Sequence, residues 1–163
     1  MQPLLILSTG GTFDKVHDSL TEALVFSDQE FTQIPEVLRL GKCFFPSQRS
    51  VMQKDSLDMT NEDRKIILEA VMAADESQIV ITHGTGTMQQ TAEYLDGKVG
   101  EKTVILTGAM RPHSLGKSDA GFNLGGAIVA AQTLGAGIYA VMNGRVFAAK
   151  DIQKDVLAGR FDL

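Results

Sequence analysis

Two threonines that each follow a glycine, and one lysine near the end of the sequence, are the residues best suited to covalent chemistry. Thr12 follows Gly11, Thr85 follows Gly84, and Lys154 lies in a polar segment. A threonine hydroxyl is a weak nucleophile unless a base takes its proton, and a lysine removed from water can act as that base. Taken alone, each threonine is more typical of an ordinary turn, and the lysine of a solvated charge. They remain the candidates for a nucleophile and a base.

Glycine and small polar residues follow each of four short apolar runs. Glycine lets backbone N–H groups approach a ligand, and the start of a helix adds positive partial charge. Such strand ends predict a site for a small molecule with a carboxylate or a developing oxyanion. The four segments are residues 9–12 (Thr-Gly-Gly-Thr), 82–87 (Thr-His-Gly-Thr-Gly-Thr), 107–110 (Thr-Gly-Ala-Met) and 143–145 (Asn-Gly-Arg).

Two nucleotide-binding motifs nearly match the sequence, and both are rejected. Residues 116–118 (Gly-Lys-Ser) resemble the end of a P-loop, but Arg111 stands where its first glycine is required. Residues 84–86 open like a dinucleotide fingerprint, but Gln89 occupies the third glycine position. The Gly-x-Ser-x-Gly nucleophile motif of hydrolases is absent as well. We therefore expect chemistry without a cofactor.

The elements that must position these residues alternate between strands and helices. Residues 4–7, 79–81, 104–106 and 138–141 are apolar at consecutive positions, which is typical of parallel strands covered on both faces. Helix starts are predicted where a polar residue precedes an amphipathic segment. This alternation predicts an α/β doubly wound fold, with a mainly parallel sheet and helices on both faces. The predicted helix starts are Ser27 with Glu30, Thr60 with Asp63, Thr87 with Gln90, and Ser118, and Pro35 is expected to shorten the first helix.

Composition narrows the classes of function. At 163 residues, the chain is expected to form a single domain over residues 1–163. The net charge of −5 and the absence of basic runs argue against nucleic acid and anionic membranes as partners. The single cysteine, Cys43, suits a reducing compartment, so a cytoplasmic location is expected. The three histidines show no metal-ligand spacing, and no metal site is expected.

Two apolar segments could be mistaken for targeting or membrane sequences. Residues 1–7 lack a basic region before them, and the following glycines end the run too early for an export signal. Residues 124–142 carry no charge, but they are rich in alanine and glycine, and residues 135–137 (Gly-Ala-Gly) divide them. We interpret this stretch as a buried helix, a turn and a buried strand, and not as a membrane span.

Six segments carry a resemblance to a known family. They are residues 9–15 (Thr-Gly-Gly-Thr-Phe-Asp-Lys), 55–60 (Asp-Ser-Leu-Asp-Met-Thr), 83–88 (His-Gly-Thr-Gly-Thr-Met), 107–112 (Thr-Gly-Ala-Met-Arg-Pro), 122–124 (Phe-Asn-Leu) and 142–145 (Met-Asn-Gly-Arg). In their order and spacing they resemble the bacterial-type L-asparaginase family over nearly the whole chain. Long members carry a second, C-terminal domain, so we expect a short single-domain member.

The resemblance implies an amidohydrolase that converts L-asparagine to L-aspartate and ammonia through an acyl-enzyme. Thr12 would be the nucleophile, and Thr85 with Lys154 would form the second hydroxyl–lysine pair. Ser56 would hold the substrate α-carboxylate. The other implied substrate-binding residues are Leu57 and Gly86, together with the backbone of Gly11, Gly84 or Ala109. The family also suggests a homodimer or a higher homo-oligomer.

The sequence departs from the family pattern at two positions. An acidic residue normally stands at the position of Gly86, where it binds the substrate α-ammonium and steadies the threonine–lysine pair. The family also places a tyrosine shortly after the first segment, and His17 is the nearest stand-in here, or a plain surface histidine. Three hypotheses therefore stay open: an L-asparaginase, a binding or regulatory protein on the same scaffold, and an amidase for a substrate without an α-ammonium.

Overall fold

The computed structural model describes residues 2–27 and 31–161. Ten strands and four α-helices lie in this part of the protein, joined by loops and short 3-10 turns. The strands are β1 (Leu4–Gly10), β2 (Val16–His17), β3 (Leu24–Val25), β4 (Ser47–Lys54), β5 (Gln78–Thr82), β6 (Thr103–Thr107), β7 (Gly137–Met142), β8 (Arg145–Ala148), β9 (Lys154–Asp155) and β10 (Arg160–Phe161). The helices are α1 (Ile34–Leu40), α2 (Asn61–Met72), α3 (Met88–Leu95) and α4 (Ala120–Thr133).

A six-stranded sheet forms the centre of the fold, in the order β4-β1-β5-β6-β7-β8. The first five strands are parallel, and β8 is antiparallel to β7. The four predicted strands are confirmed as β1, β5, β6 and β7, and β1 and β6 are buried along their whole lengths. The edge strand β4 was not predicted, because its first four residues are polar and exposed and give no apolar run.

The helices cover both faces of the sheet, which confirms the predicted doubly wound α/β class. One apolar cluster includes Ile67 and Val71 of α2 and Met88 of α3. The cluster on the other face includes Val37 of α1 and Leu124 of α4. Burying apolar surface on both faces is what stabilises a parallel sheet of this kind.

Two predicted helix starts agree with the structure. At the start of α2, the Thr60 hydroxyl accepts the Asp63 N–H while the Asp63 carboxylate accepts the Thr60 N–H, a complete capping box. For α4, the boundary residue is Asp119, one position later than predicted. The Ser118 hydroxyl nevertheless accepts the Ala120 N–H at 3.0 Å and so caps the first turn.

The remaining predictions about helix starts are confirmed only in part. Thr87 precedes α3 but makes no side-chain cap, because its hydroxyl donates to the Ser56 carbonyl at 2.7 Å. Helix α1 begins at Ile34, and Pro35 lies in its first turn, where a missing N–H costs nothing. Pro35 therefore starts this helix and does not shorten it. The pairing of Ser27 with Glu30 cannot be compared, because Glu30 lies outside the described residues.

The uncharged stretch at residues 124–142 divides as predicted. Its first part belongs to α4, residues 134–136 form the turn, and its last part is strand β7. Within the described ranges, no helix is both long enough and apolar enough to cross a membrane.

The order in which strands are added to the sheet reverses at β1. From β1 the chain moves to the edge strand β4, and it then returns to β5 on the opposite side of β1. The connections after β1 and β5 consequently lead to opposite sides of the sheet, and a crevice is expected at the carboxyl ends of these strands. In open α/β sheets, ligands bind at such a switch point. The loops in question carry Thr12 and Thr85.

Candidate active site

Three loops meet at the crevice through glycines that lie in direct contact with their neighbours. A Cβ on Gly11 would lie 2.5 Å from the Gly84 nitrogen, and a Cβ on Gly84 would lie 2.5 Å from the Ser56 Oγ. Gly11 also has a φ of 74°, a conformation that disfavours other residues. The loops after β1, β4 and β5 can approach this closely only because no side chain stands between them.

A cavity of about 140 Å³ lies where these loops converge. Its lining residues are Thr12, Asp55, Ser56, Leu57, Gly84, Thr85, Gly86 and Lys154. Thr12, Thr85 and Lys154, which are far apart in the sequence, are therefore brought together, along with Ser56, Leu57, Gly84 and Gly86 of the predicted binding residues. A cavity of this size suits only a small ligand.

Lys154 and Thr85 are joined by a hydrogen bond. The Lys154 Nζ donates to the Thr85 Oγ1 at 2.9 Å. Strand β9 carries Lys154 and pairs with β10, in which Phe161 is buried. The Phe161 N–H donates to the Asn143 Oδ1 at 2.8 Å, which anchors this terminal hairpin to the turn between β7 and β8. The hairpin thus positions the lysine over the loop after β5.

Hydrogen-bond donors and one unbonded hydroxyl line the cavity. Among the described residues, the Thr12 hydroxyl has no hydrogen-bond partner, and the backbone N–H groups of Thr12, Thr85 and Gly86 have no acceptor. The Thr12 side chain is half-buried, so it remains accessible to a ligand. Unbonded N–H groups beside a hydroxyl are the arrangement that stabilises an oxyanion when that hydroxyl attacks a carbonyl.

One carboxylate lines the cavity, and it is already paired. Lys15 Nζ lies 2.5 Å from the Asp55 Oδ2, and the Leu57 N–H donates to Oδ1 at 3.0 Å. The hydrogen bond from Lys15 is the main reason that the pKa of Asp55 lies below its usual value. The ion pair also links the turn that carries Thr12 to the Ser56 loop.

The other acids near these loops do not line the cavity. Asp58, which follows the Ser56 loop, is exposed. Asp119 accepts the N–H groups of Met110 and Arg111 at the start of α4. Asp14 is fully buried, and burial raises its pKa to about 6. Its Oδ1 accepts from Thr32 and Gln33, while its buried Oδ2 has no partner among the described residues.

A buried histidine, which the sequence did not single out for this role, supports the loop that carries Thr85. The His83 Nδ1 lies 2.7 Å from the Gly84 carbonyl, and its Nε2 lies 2.8 Å from the Thr91 Oγ1. Arg64 Nε donates to the same hydroxyl at 3.1 Å. These partners fit a neutral ring whose Nδ1–H donates and whose Nε2 accepts. Burial lowers the His83 pKa to about 4, which keeps the ring neutral.

Three residues with expected roles do not line the cavity. The Gly11 N–H donates to the Lys54 carbonyl at 3.0 Å, so this N–H is already used. Ala109 is buried in the apolar cluster with α1 and α4, because the loop after β6 folds back onto Asp119. His17 is exposed in β2 and does not line the cavity, as expected for a plain surface histidine.

Asn123 connects two of the segments that carry the family resemblance, residues 107–112 and 142–145. Its Nδ2 donates to the Gly108 carbonyl at 2.9 Å, and its Oδ1 accepts the Asn143 N–H at 3.0 Å. This amide therefore connects the loop after β6 to the turn that anchors the terminal hairpin. A buried asparagine in an apolar helix was the signal that could have identified this role.

A larger, mainly apolar cavity of about 320 Å³ lies away from these loops, between α1 and α4. Its lining includes Val37, Leu124 and Ile128 and contains no threonine, serine, lysine or carboxylate. This cavity lacks the groups that amide chemistry requires, and the candidate site remains the cavity at the strand ends.

This protein is similar to one known protein family and to several known proteins. The family model described as Asparaginase, N-terminal, matches residues 3–160. A probable periplasmic L-asparaginase from Haemophilus influenzae is 33% identical, and the match covers 93% of this chain and 46% of that protein. The L-asparaginase 2 of Escherichia coli is 32% identical, and the match covers 93% of this chain and 46% of that protein.

A solved structure shows the same fold. The thermostable L-asparaginase from Thermococcus kodakarensis superposes with a TM-score of 0.80 at 26% sequence identity, covering 98% of this chain and 50% of that protein. The sequence thus spans about half the length of that structure and of the two relatives above. The family match, the relatives and the shared fold confirm the resemblance predicted from the sequence: the protein belongs to the asparaginase family.

Proposed function

We propose that this protein hydrolyses a side-chain amide of the asparagine type, with Thr12 as the nucleophile. The observation that carries the proposal is the convergence of the Thr12 hydroxyl, the Thr85–Lys154 hydrogen bond and unbonded backbone N–H groups on one small cavity. A nucleophile, a group that can move its proton and an oxyanion site are the parts that acyl transfer requires. Family membership supports the same reaction class.

In this proposal, the Thr12 Oγ attacks the amide carbon and its proton passes toward the hydroxyl–lysine pair. The oxyanion of the tetrahedral intermediate accepts hydrogen bonds from the backbone N–H groups that line the cavity. The C–N bond then breaks, and the nitrogen leaves with a proton as ammonia. Water hydrolyses the resulting ester on Thr12, releases the acid and restores the hydroxyl.

L-Asparagine is the simplest substrate of this class, and we propose that it is used weakly. Its α-carboxylate can bind near Ser56, but no acid stands at Gly86 to receive its α-ammonium. A hydrogen bond to a charged group contributes about 1.5–3 kcal/mol, so its loss weakens binding roughly ten- to over a hundredfold. A homodimer or higher homo-oligomer and a cytoplasmic location remain predictions.

The test is ammonia release from L-asparagine by the parent protein and by two Thr12 variants. Thr12→Ala should lose turnover while keeping its thermal unfolding temperature, and Thr12→Ser should retain measurable turnover, because it keeps a hydroxyl. With a slow substrate, mass spectrometry should find an acyl adduct on the peptide that contains Thr12. Full activity in Thr12→Ala would show that Thr12 is not the nucleophile.

If the parent protein binds its ligand but hydrolyses no amide, a binding or regulatory protein is favoured instead.

A further inference from the structure

The cavity around Thr12 adjoins a larger chamber. The chamber has a volume of about 380 Å³, against about 140 Å³ for the cavity itself. The two share four lining residues, Leu57, Thr85, Gly86 and Lys154. The remaining lining of the chamber consists of Gln89, Gln90, Ile152, Val156 and Phe161. The site therefore offers far more room on the Gly86 side than the side-chain amide of an amino acid needs.

Gly86 is one of the four residues that bound the passage between cavity and chamber. A Cβ at this position would lie 2.7 Å from the Leu57 Cδ2 and 3.2 Å from the Ser56 Oγ, so these two side chains occupy the space that a larger residue would need. Ordinary van der Waals contacts between heavy atoms need about 3.5–4.0 Å. Any larger residue would therefore displace Leu57, which also lines the passage.

The charges around the passage disfavour an ammonium group. Among the described residues that line the two spaces, Asp55 is the one acid and Lys154 the one base. Each Asp55 oxygen already accepts a hydrogen bond, one from Lys15 and the other from the Leu57 N–H. A substrate ammonium at Gly86 would thus lie beside a lysine and gain no unpaired anionic partner.

The chamber instead matches an uncharged acyl group. The glutamine amides of Gln89 and Gln90 can exchange hydrogen bonds with an amide or a peptide bond. The Gln89 Nε2 donates to Glu93 at 2.8 Å, so its carbonyl oxygen is the group that can accept from a ligand N–H. Ile152 and Phe161, both buried, supply an apolar surface for the rest of the group. Ser56 can still bind the substrate α-carboxylate.

We propose that the preferred substrate is an asparagine whose α-nitrogen is acylated and whose α-carboxylate is free, with the acyl group in the chamber beyond Gly86. This inference rests on the proposed amide hydrolysis. Water is consumed, the C–N bond of the asparagine carboxamide breaks, and the products are ammonia and N-acyl-aspartate. The bond between the acyl group and the α-nitrogen remains intact. An N-acyl amino acid and the C-terminal asparagine of a peptide both supply this chemistry.

The experiment compares kcat/KM for N-acetyl-L-asparagine, the dipeptide Ala-Asn and L-asparagine, measured as ammonia release. A preference of tenfold or more for at least one acylated compound over L-asparagine supports the inference, and a smaller ratio overturns it. The two acylated compounds distinguish a small N-acyl amino acid from a peptide as the source.

A substitution in the chamber provides the structural control. Gln90→Phe on the exposed side of α3 should lower the ratio of kcat/KM for the preferred acylated compound over L-asparagine at least tenfold. Gln153→Phe, an exposed glutamine that does not line the chamber, should leave that ratio unchanged. Equal ratios in both variants would show that the acyl group does not occupy the chamber.

Failure of this inference can be distinguished from failure of the proposed function. Ammonia release from L-asparagine that depends on Thr12, without a preference for the acylated compounds, overturns only the inference. If no amide is hydrolysed, calorimetry measures how tightly the protein binds the two products, N-acetyl-L-aspartate and L-aspartate. Tenfold tighter binding of the acylated product supports the inference, and a smaller difference overturns it.

Discussion

The backbone of Gly11 lies against the backbone of Gly84, with no room for a side chain between them. A Cβ on Gly11 would lie 2.5 Å from the Gly84 nitrogen and 2.6 Å from its Cα. The neighbours that would have to move are backbone atoms of the loop that carries Thr85, and not a flexible side chain. The relative position of Thr12 and Thr85 therefore depends on this one contact.

Gly11→Ala is expected to destabilise the protein and to abolish amide turnover. A Cβ here is strained by the positive φ and also separates the two loops, so we expect a loss of about 2–4 kcal/mol in the free energy of unfolding. Gly97→Ala is the matched control, because Gly97 has a φ of 72° but no atom within 4 Å of a built Cβ. That variant should lose only about 1 kcal/mol and keep its activity. Urea denaturation and ammonia release measure both, and equal losses in the two variants would refute the role of the contact.

Lys154→Met is expected to lower kcat by roughly two to four orders of magnitude. The substitution removes the group that donates to the Thr85 hydroxyl and keeps most of the side-chain volume. Lys150→Met serves as the control, because Lys150 is exposed nearby in the sequence and does not line the cavity. Steady-state kinetics should show normal turnover for the control. Comparable activity in the two variants would remove Lys154 from the mechanism.

The sheet was predictable from the sequence because its central strands are buried on both faces. Such strands give uninterrupted apolar runs, as at residues 79–81 and 104–106. The edge strand β4 gives no such run, because its first residues are polar and face solvent. The start of α3 at Thr87 was predicted correctly, but its capping box does not form, because the Thr87 hydroxyl binds the carbonyl of Ser56, a residue 31 positions away. Local capping rules cannot anticipate such a partner.

The residues of the site were predictable where glycine and hydroxyl residues follow a strand, and through the family resemblance. The supporting contacts were not. His83 was only one of three dispersed histidines in the sequence, and its burial against Thr91 depends on how α2 and α3 pack. The chamber beyond Gly86 was also unforeseen, because it is bounded by Phe161 and Ile152 from the end of the sequence.

The pH dependence of stability should reveal the buried Asp14. Its pKa is raised from 3.8 to about 6, so between these values the native state holds a proton that the unfolded state releases, and stability falls as the pH rises. His83 acts in the opposite direction. Its pKa is lowered from 6.5 to about 4, so its contribution is present above pH 6.5 and is lost as the pH falls toward 4. Between pH 4 and 6 the two contributions nearly cancel.

Asp14→Asn removes one of these opposing contributions. The variant should gain about 2 kcal/mol of stability between pH 4.5 and 6, since each proton contributes roughly 1–2 kcal/mol per pH unit, while the parent protein should change little. Asp58→Asn, at an exposed aspartate, should behave like the parent protein. Urea denaturation at the two pH values tests this. A flat profile in Asp14→Asn would show that His83 and Asp14 do not titrate as described.

Gly86→Asp is expected to convert the site toward free L-asparagine. The new carboxylate would lie beside Ser56 and Lys154, where it can receive the substrate α-ammonium. The nearest obstacle is the Leu57 side chain, which is 74% exposed and can move aside. We expect kcat/KM for L-asparagine to rise at least about tenfold, equivalent to about 1.4 kcal/mol of transition-state binding.

Gly86→Asn, which has nearly the same size without the charge, should not show this gain. Both variants narrow the passage to the chamber, so both should lower kcat/KM for N-acetyl-L-asparagine. If Gly86→Asp leaves kcat/KM for L-asparagine unchanged or lowers it, a carboxylate at this position does not receive the substrate α-ammonium.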